Sequence, residues 1–274
     1  MKPIVYISSL THSGSTLLDL ILGGHPRYIG LGEVARFAER DLENSRQSIC
    51  SCGQCMNDCR FWSQVAARFQ SRENLSFEEK YRFVFEVFEE VFGQDYIPVD
   101  SSKHLPPLEV LHSRLQFNVK ILYILKDVRS FTVSQIDNLK RKEGHRWHKR
   151  IPGRIFWDWY GRNRAMQRFF AERNMHVFQV GYEELCLHPK GIVRKICEFL
   201  GETMEPAMLT LKDSGSHVLR GNRMRYQKEK AEMSYDHRWF LRNEWILPAF
   251  LFPHIMRYNA REVYRNNTDA LWKQ

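Results

Sequence analysis

The chain opens on a short apolar run, Pro3-Ile-Val-Tyr-Ile-Ser-Ser-Leu10, whose β-branched and aromatic residues read as a buried strand. A small hydroxyl-bearing turn follows, and Leu17 to Leu22 then continue at helical spacing. Gly23-Gly-His-Pro26 breaks that helix, and the glycine-rich stretch 28–33 leads into a helical pattern that puts Glu33 near a helix start. Residues 76–92 carry an aromatic stripe at helical period, with Ser76 and Glu79 spaced as a capping box and Gly93 as the stop. Tyr96-Ile-Pro-Val is a short strand ending in the polar cluster Asp100-Ser-Ser-Lys-His104. Residues 107–117 fit a helix, 119–125 form the most strand-like run in the chain, and Lys126 begins another polar turn that opens a helix. A long helix over 155–173, a strand over 177–182 and a helix over 190–200 complete the pattern.

Strands that alternate with helices predict an α/β fold, a central parallel sheet flanked by helices. Without a repeat, a low-complexity tract or a Pro/Gly/Ser linker, the 274 residues read as one domain. It carries a Cys-rich insertion at about 46–62 and an aromatic-rich helical tail at about 231–274. The tail stretch 245–256 is too short and too proline-broken to span a bilayer; it packs on the body or rests on a membrane or partner surface.

A strand feeding a helix through Ser13-Gly-Ser-Thr16 aims free backbone N–H groups and hydroxyls at one spot, where the helix dipole adds positive potential. That spot suits a phosphate. It is not a Walker A loop, which needs an earlier Gly and a Gly-Lys pair absent here, so a nucleotide kinase with an atypical P-loop is the second choice. Ligands in a parallel α/β sheet sit outside the carboxyl ends of the strands, which is where Asp100 to His104 and Lys126 fall.

Lys and Arg number 41 against 32 Asp and Glu, a formal charge of +9, so the molecule should attract anions. The basic residues are scattered and no common nucleic-acid motif appears, so nucleic acid is not an expected partner; a phosphate-rich cofactor, an acidic glycan or an anionic membrane surface explains the charge. A non-enzymatic basic module binding acidic glycan or nucleic acid is the reading outside catalysis. With no long apolar span and no leader pattern, a cytoplasmic location is expected. Cys50, Cys52, Cys55 and Cys59 lie within ten residues, a spacing that allows a structural zinc site, one or two disulfides, or free thiols.

Four of these segments together resemble sulfotransferases that use 3'-phosphoadenosine 5'-phosphosulfate (PAPS). The first loop resembles their 5'-phosphosulfate loop, with His12 where Lys or Arg is usual. Asp100-Ser-Ser-Lys103 is similar to a second motif of bacterial members, and Lys103-His-Leu-Pro to the base-bearing segment of cytosolic ones. The strand ending at Leu125 with Lys126 and, eight residues on, Ser134 resembles the 3'-phosphate element, with Lys in place of Arg. His217 through Arg225 is similar to a Gly-Asn-x-Met-Arg loop near the C-terminus of bacterial members.

The resemblance implies a P-loop-like sulfotransferase architecture and transfer of a sulfuryl group to a hydroxyl or amine of a carbohydrate, lipid-linked or small-molecule acceptor, releasing 3'-phosphoadenosine 5'-phosphate. It implies that His12, Ser13, Gly14, Ser15, Thr16 and Leu17 bind the 5'-phosphosulfate, and that Lys126, Arg129, Ser134, Gly221, Asn222 and Arg225 bind the 3'-phosphate side. His12 and Lys103 stabilise charge, and Glu33 is the preferred base with His104 as its rival. Segments 36–75 and 140–160 are the expected acceptor lids.

Overall fold

The computed structural model describes residues 3–39, 48–141, 151–211, 215–219 and 235–266. Its five strands form one parallel sheet of order β2-β3-β1-β4-β5, with flanking helices. The chain divides into two compact units, Met1–Ser8, Ser15–Leu122 and Leu200–Met233 in one, Ser9–Gly14, Tyr123–Phe199 and Ser234–Gln274 in the other.

The first unit begins with β1 (Pro3–Ser9) and α1 (Ser15–Leu22), then β2 (Tyr28–Gly32) and α2 (Val34–Ala38). It continues through α3 (Trp62–Gln70), α4 (Phe77–Phe92), β3 (Ile97–Lys103) and α5 (Leu105–Glu109) into β4 (Asn118–Leu125), whose residues from Tyr123 on are counted with the second unit. β2 is a strand where the sequence shows only a glycine-rich approach. Its Gly30 has no side chain because none fits: a Cβ there would lie 1.9 Å from Asp19 Oδ1. α4 forms as its capping box dictates, with Ser76 Oγ accepting from the Glu79 N–H and Glu79 Oε2 accepting from the Ser76 N–H. The helix expected over 107–117 is shorter: Pro106 and Pro107 fit only its first turn, and α5 passes into a π-helical turn, Val110–Arg114. Phe37, Phe61 and Trp62 make the aromatic centre of the core, with ring centroids 4.6 to 4.8 Å apart.

Parallel pairing sets Val5 beside Val99 and Tyr6 beside Asp100, then slips, so that Ser8 meets Lys103. β2 slips against β3 in the opposite sense, with the extra residue on β2 between Gly30 and Gly32. Such irregularities re-aim side chains at a strand end. Here β3 runs through Asp100, Ser101 and Ser102 to Lys103, all buried, and not into a solvated turn.

The second unit contains α6 (Val128–Arg141), α7 (Pro152–Glu172), β5 (Val177–Gly181), α8 (Tyr182–Leu187), α9 (Pro189–Leu200), α10 (Ile246–Leu251) and α11 (Pro253–Val263). α7 buries Ile155, Phe156, Trp159, Met166 and Phe170, and Trp159 Nε1 donates to the Lys126 carbonyl at 3.0 Å. The tail is partly buried. Trp239, Ile255, Tyr258 and Val263 are buried, while Leu241, Leu247, Phe250 and Leu251 face solvent. No helix of the described residues is long and apolar enough to cross a membrane.

Candidate functional site

The turn after β1 is built for close approach. His12 (φ 69°) and Gly14 (φ 100°) both take left-handed backbone. Gly14 is obligatory, since a Cβ there would come within 2.5 Å of the Tyr182 ring. Ser13 is buried, and Ser9 Oγ is buried without a hydrogen-bond partner. Ser15 opens α1.

Lys126 and Ser134, eight residues apart in sequence, touch: Lys126 Nζ donates to Ser134 Oγ at 3.1 Å. The ammonium also pairs with Asp236 at 2.9 Å and lies 4.8 Å from the Tyr182 ring centroid. Burial opposes ionisation of Asp236, but hydrogen bonds from Arg238 and the charge of Lys126 prevail and hold it well below the usual carboxylate range. Arg129, expected to add donors beside Lys126, is engaged elsewhere. Its Nε and Nη2 grip both oxygens of Asp127 at 2.9 and 2.6 Å, and its guanidinium covers Trp239. Asp127 also accepts from Asn259 and Tyr264, so the residue following Lys126 is fixed from three sides.

In the first unit Glu33 and Lys103 form a buried ion pair through Oε1, and Arg36 Nη1 holds Glu33 Oε2 at 2.7 Å. Burial alone pushes the Glu33 carboxyl up, but Lys103 and then Arg36 outweigh it, so the group stays ionised below its ordinary range. Lys103 sits in left-handed backbone at φ 74°, and its carbonyl accepts from Ser8 Oγ at 2.9 Å. His104, next in the chain, is exposed, and its carbonyl accepts from Tyr6 OH. Asp100 and the two serines point inward. Asp100 receives Tyr81 OH and Ser102, Ser102 Oγ in turn accepts from the Ala35 N–H in α2, and Ser101 Oγ donates to Asp19 in α1 at 2.7 Å. These residues tie β3 to α1 and to α2, the helix that Glu33 precedes. Burial pushes the carboxyl of Asp19 up to about 7 and that of Asp100 up to about 6.

A sequence profile described as the sulfotransferase family matches residues 3–206. The chain belongs to the sulfotransferase family. Among solved structures, this sulfotransferase is similar to the sulfotransferase domain from the Synechococcus PCC 7002 olefin synthase, with 20% identity and a TM-score of 0.54 over 92% of this chain and 94% of that one. It shows weaker likeness to the sulfotransferase domain from the curacin biosynthetic pathway (18% identity, TM-score 0.49, 92% and 98% covered). A sulfotransferase from Alicyclobacillus acidocaldarius matches less of it (18% identity, TM-score 0.47, 76% and 88% covered). The first of these supports the fold. No curated protein sequence matches the chain at a significant level.

Within this sulfotransferase the structure pairs Lys126 with Ser134 and Glu33 with Lys103, and leaves His104 at the surface. Gly221, Asn222 and Arg225 lie outside the described residues, as do 40–47 and 142–150 of the expected lids. A cavity of about 360 Å³ in the second unit is lined by Leu10, Phe131, Gln135, Arg154, Trp159 and Arg162, among others. Sequence reasoning missed Asp19, Asp127, Asp236 and Tyr182. Only Asp19 left a sign, a lone charge inside the apolar run of α1.

The Cys-rich segment departs from its expected grouping. Cys50, Cys52 and Cys59 gather with His217, their ligand atoms all within 4.8 Å of one another, whereas Cys55 donates its thiol to Asp58 Oδ2 at 2.8 Å. None of the six cysteines is joined in a disulfide.

Proposed function

We propose that this sulfotransferase moves the sulfuryl group of PAPS to a hydroxyl or amine of a small-molecule, glycan or lipid-linked acceptor. The observation that carries the reading is the buried contact between Glu33 and Lys103, which supplies an ionised carboxylate and a cation in one place. When bound, PAPS supplies an activated sulfuryl group on a phosphate leaving group.

The backbone N–H groups and hydroxyls of residues 12–17 bind the 5'-phosphosulfate end, with His12 protonated to add positive charge. Lys126 and Ser134 bind the 3'-phosphate, with Gly221, Asn222 and Arg225 as further contacts. Lys126 keeps the charge of the Arg usual there but not its two-pronged geometry. Glu33 accepts the acceptor's proton as its oxygen or nitrogen attacks sulfur. The donor would supply the sulfuryl group and a phosphate leaving group for in-line transfer, and Lys103 would offer its ammonium to the sulfuryl oxygens.

Thermal shift against 3'-phosphoadenosine 5'-phosphate, with ATP plus Mg²⁺ as the control, tests the nucleotide. A ligand at about 100 times Kd adds roughly 2.7 kcal/mol. Stabilisation by ATP with Mg²⁺ alone favours the kinase reading instead. Glu33→Ala with retained nucleotide affinity and lost turnover identifies the base; unchanged turnover there, with loss in His104→Ala, transfers the role to His104.

A further inference from the structure

We infer that Cys50, Cys52, Cys59 and His217 hold one structural zinc ion in the first unit, a three-thiolate, one-imidazole site that excludes Cys55. The four ligand atoms are the sulfurs of Cys50, Cys52 and Cys59 and a ring nitrogen of His217, all mutually within 4.8 Å. A tetrahedral zinc with Zn–S near 2.3 Å and Zn–N near 2.0 Å requires sulfur-to-nitrogen edges of about 3.6 Å. His217 Nδ1 lies 3.2 Å from Cys59 Sγ and 3.8 Å from Cys50 Sγ, one on each side of that length.

The surroundings are those of a closed, structural site. Cys50, Cys59 and His217 are buried and Cys52 alone reaches solvent. The Cys50 sulfur accepts from the Cys52 backbone N–H, and the Cys59 sulfur from those of Phe61 and Trp62, donors that steady thiolate ligands. Gly53 supplies the left-handed turn (φ 92°) that folds the loop back after Cys52, and its N–H bonds the Cys50 carbonyl at 2.9 Å. His217 is held at both ends of its backbone: its N–H donates to the Gly30 carbonyl at 2.7 Å and its carbonyl accepts from Trp62 Nε1 at 2.6 Å. Ser51 brackets it, donating to the Ser216 carbonyl at 2.7 Å and accepting from the Val218 N–H at 2.8 Å. Phe61 and Phe92 close over the imidazole at 6.3 and 5.3 Å between centroids. Four soft and borderline ligands in a closed shell leave no open position for a substrate. The ion joins residues 50–59 to a segment more than 150 positions away, independently of sulfuryl transfer.

Metal content of the full chain, purified under thiol without chelator, tests the site. About one zinc per chain is expected, and Co²⁺ exchanged into it should give the thiolate charge-transfer and visible bands of a tetrahedral sulfur site. Zinc should persist in Cys55→Ser and in His217→Cys and be lost in Cys59→Ser and His217→Ala. If those last two variants fail to fold, the unaltered chain still decides: in the zinc-bound protein the exposed Cys52 should alkylate about tenfold more slowly than Cys55, and a chelator should abolish the difference. A chain without stoichiometric metal that develops no cobalt–thiolate bands overturns the inference. So does zinc lost in Cys55→Ser but kept in His217→Ala, or a Cys52 that alkylates as fast as Cys55 with zinc present.

Discussion

Replacing Lys103 by Met should expose how much the buried Glu33 carboxylate depends on its partner. The side chains are about one-tenth exposed on both sides of the pair, so removing the ammonium leaves a charge that water reaches poorly. Breaking an enclosed pair costs roughly 3 to 5 kcal/mol; here Arg36 stays on the second oxygen, and with its own side chain 57% exposed it compensates in part, so about 2 to 3 kcal/mol is expected. In the wild-type chain the Glu33 carboxyl lies below 4.5, so its contribution is present above the unfolded value and drains away as pH falls through the folded one. In Lys103→Met burial dominates and raises the carboxyl above 4.5. The penalty is then full at pH 8 and shrinks toward pH 5 as the group takes a proton. Denaturant unfolding at pH 8 and pH 5 measures both numbers, and adding Glu33→Gln completes a double-mutant cycle with an expected coupling of about 2 kcal/mol. Additive single and double variants, or a penalty that grows on acidification, would refute the reasoning.

Two further outcomes follow from the same network. Asp19, carried from 3.8 to about 7 by burial, makes the fold lose stability as pH rises between those values. Asp19→Asn should therefore be more stable than wild type at pH 8 by up to about 4 kcal/mol and nearly equal at pH 4, as read by denaturant midpoints; equal pH slopes in the two proteins would count against a buried, costly carboxylate. Gly14→Ala should cost about 2 to 3 kcal/mol, from left-handed backbone plus the 2.5 Å approach of Tyr182, and a loss under about 0.5 kcal/mol would show that the loop relaxes freely.

The strands rich in β-branched and aromatic residues, β1 and β4, and the capped helix α4 were legible because local pattern and burial demand the same thing there. β2 was not: Tyr28-Ile-Gly-Leu-Gly has the composition of a turn, and Gly30 is selected by the Asp19 carboxylate pressing on it, a partner that no local window reveals. The Lys126 and Ser134 pair was readable through its resemblance to the 3'-phosphate element, whose eight-residue interval it keeps. The inward turn of Asp100, Ser101 and Ser102 was hidden, because a polar cluster at a strand end looks solvated until Tyr81, Asp19 and Ala35 are known to wait for it. The grouping of Cys50, Cys52 and Cys59 with His217 was likewise hidden by sequence distance, while the nearer Cys55 points to Asp58.

The family profile ends at residue 206, yet Ser216 and His217 lie beyond it and hydrogen-bond the edge strand β2 at Gly30. A recombinant piece cut at that sequence boundary would strip the edge strand of its cover: the Gly30 amide would lose the Ser216 hydroxyl and its carbonyl the His217 amide, and the Trp62 indole would be left holding an unshared proton in the interior. Excision for expression, grafting or fusion should therefore keep at least residues 215–219 with the body of the domain.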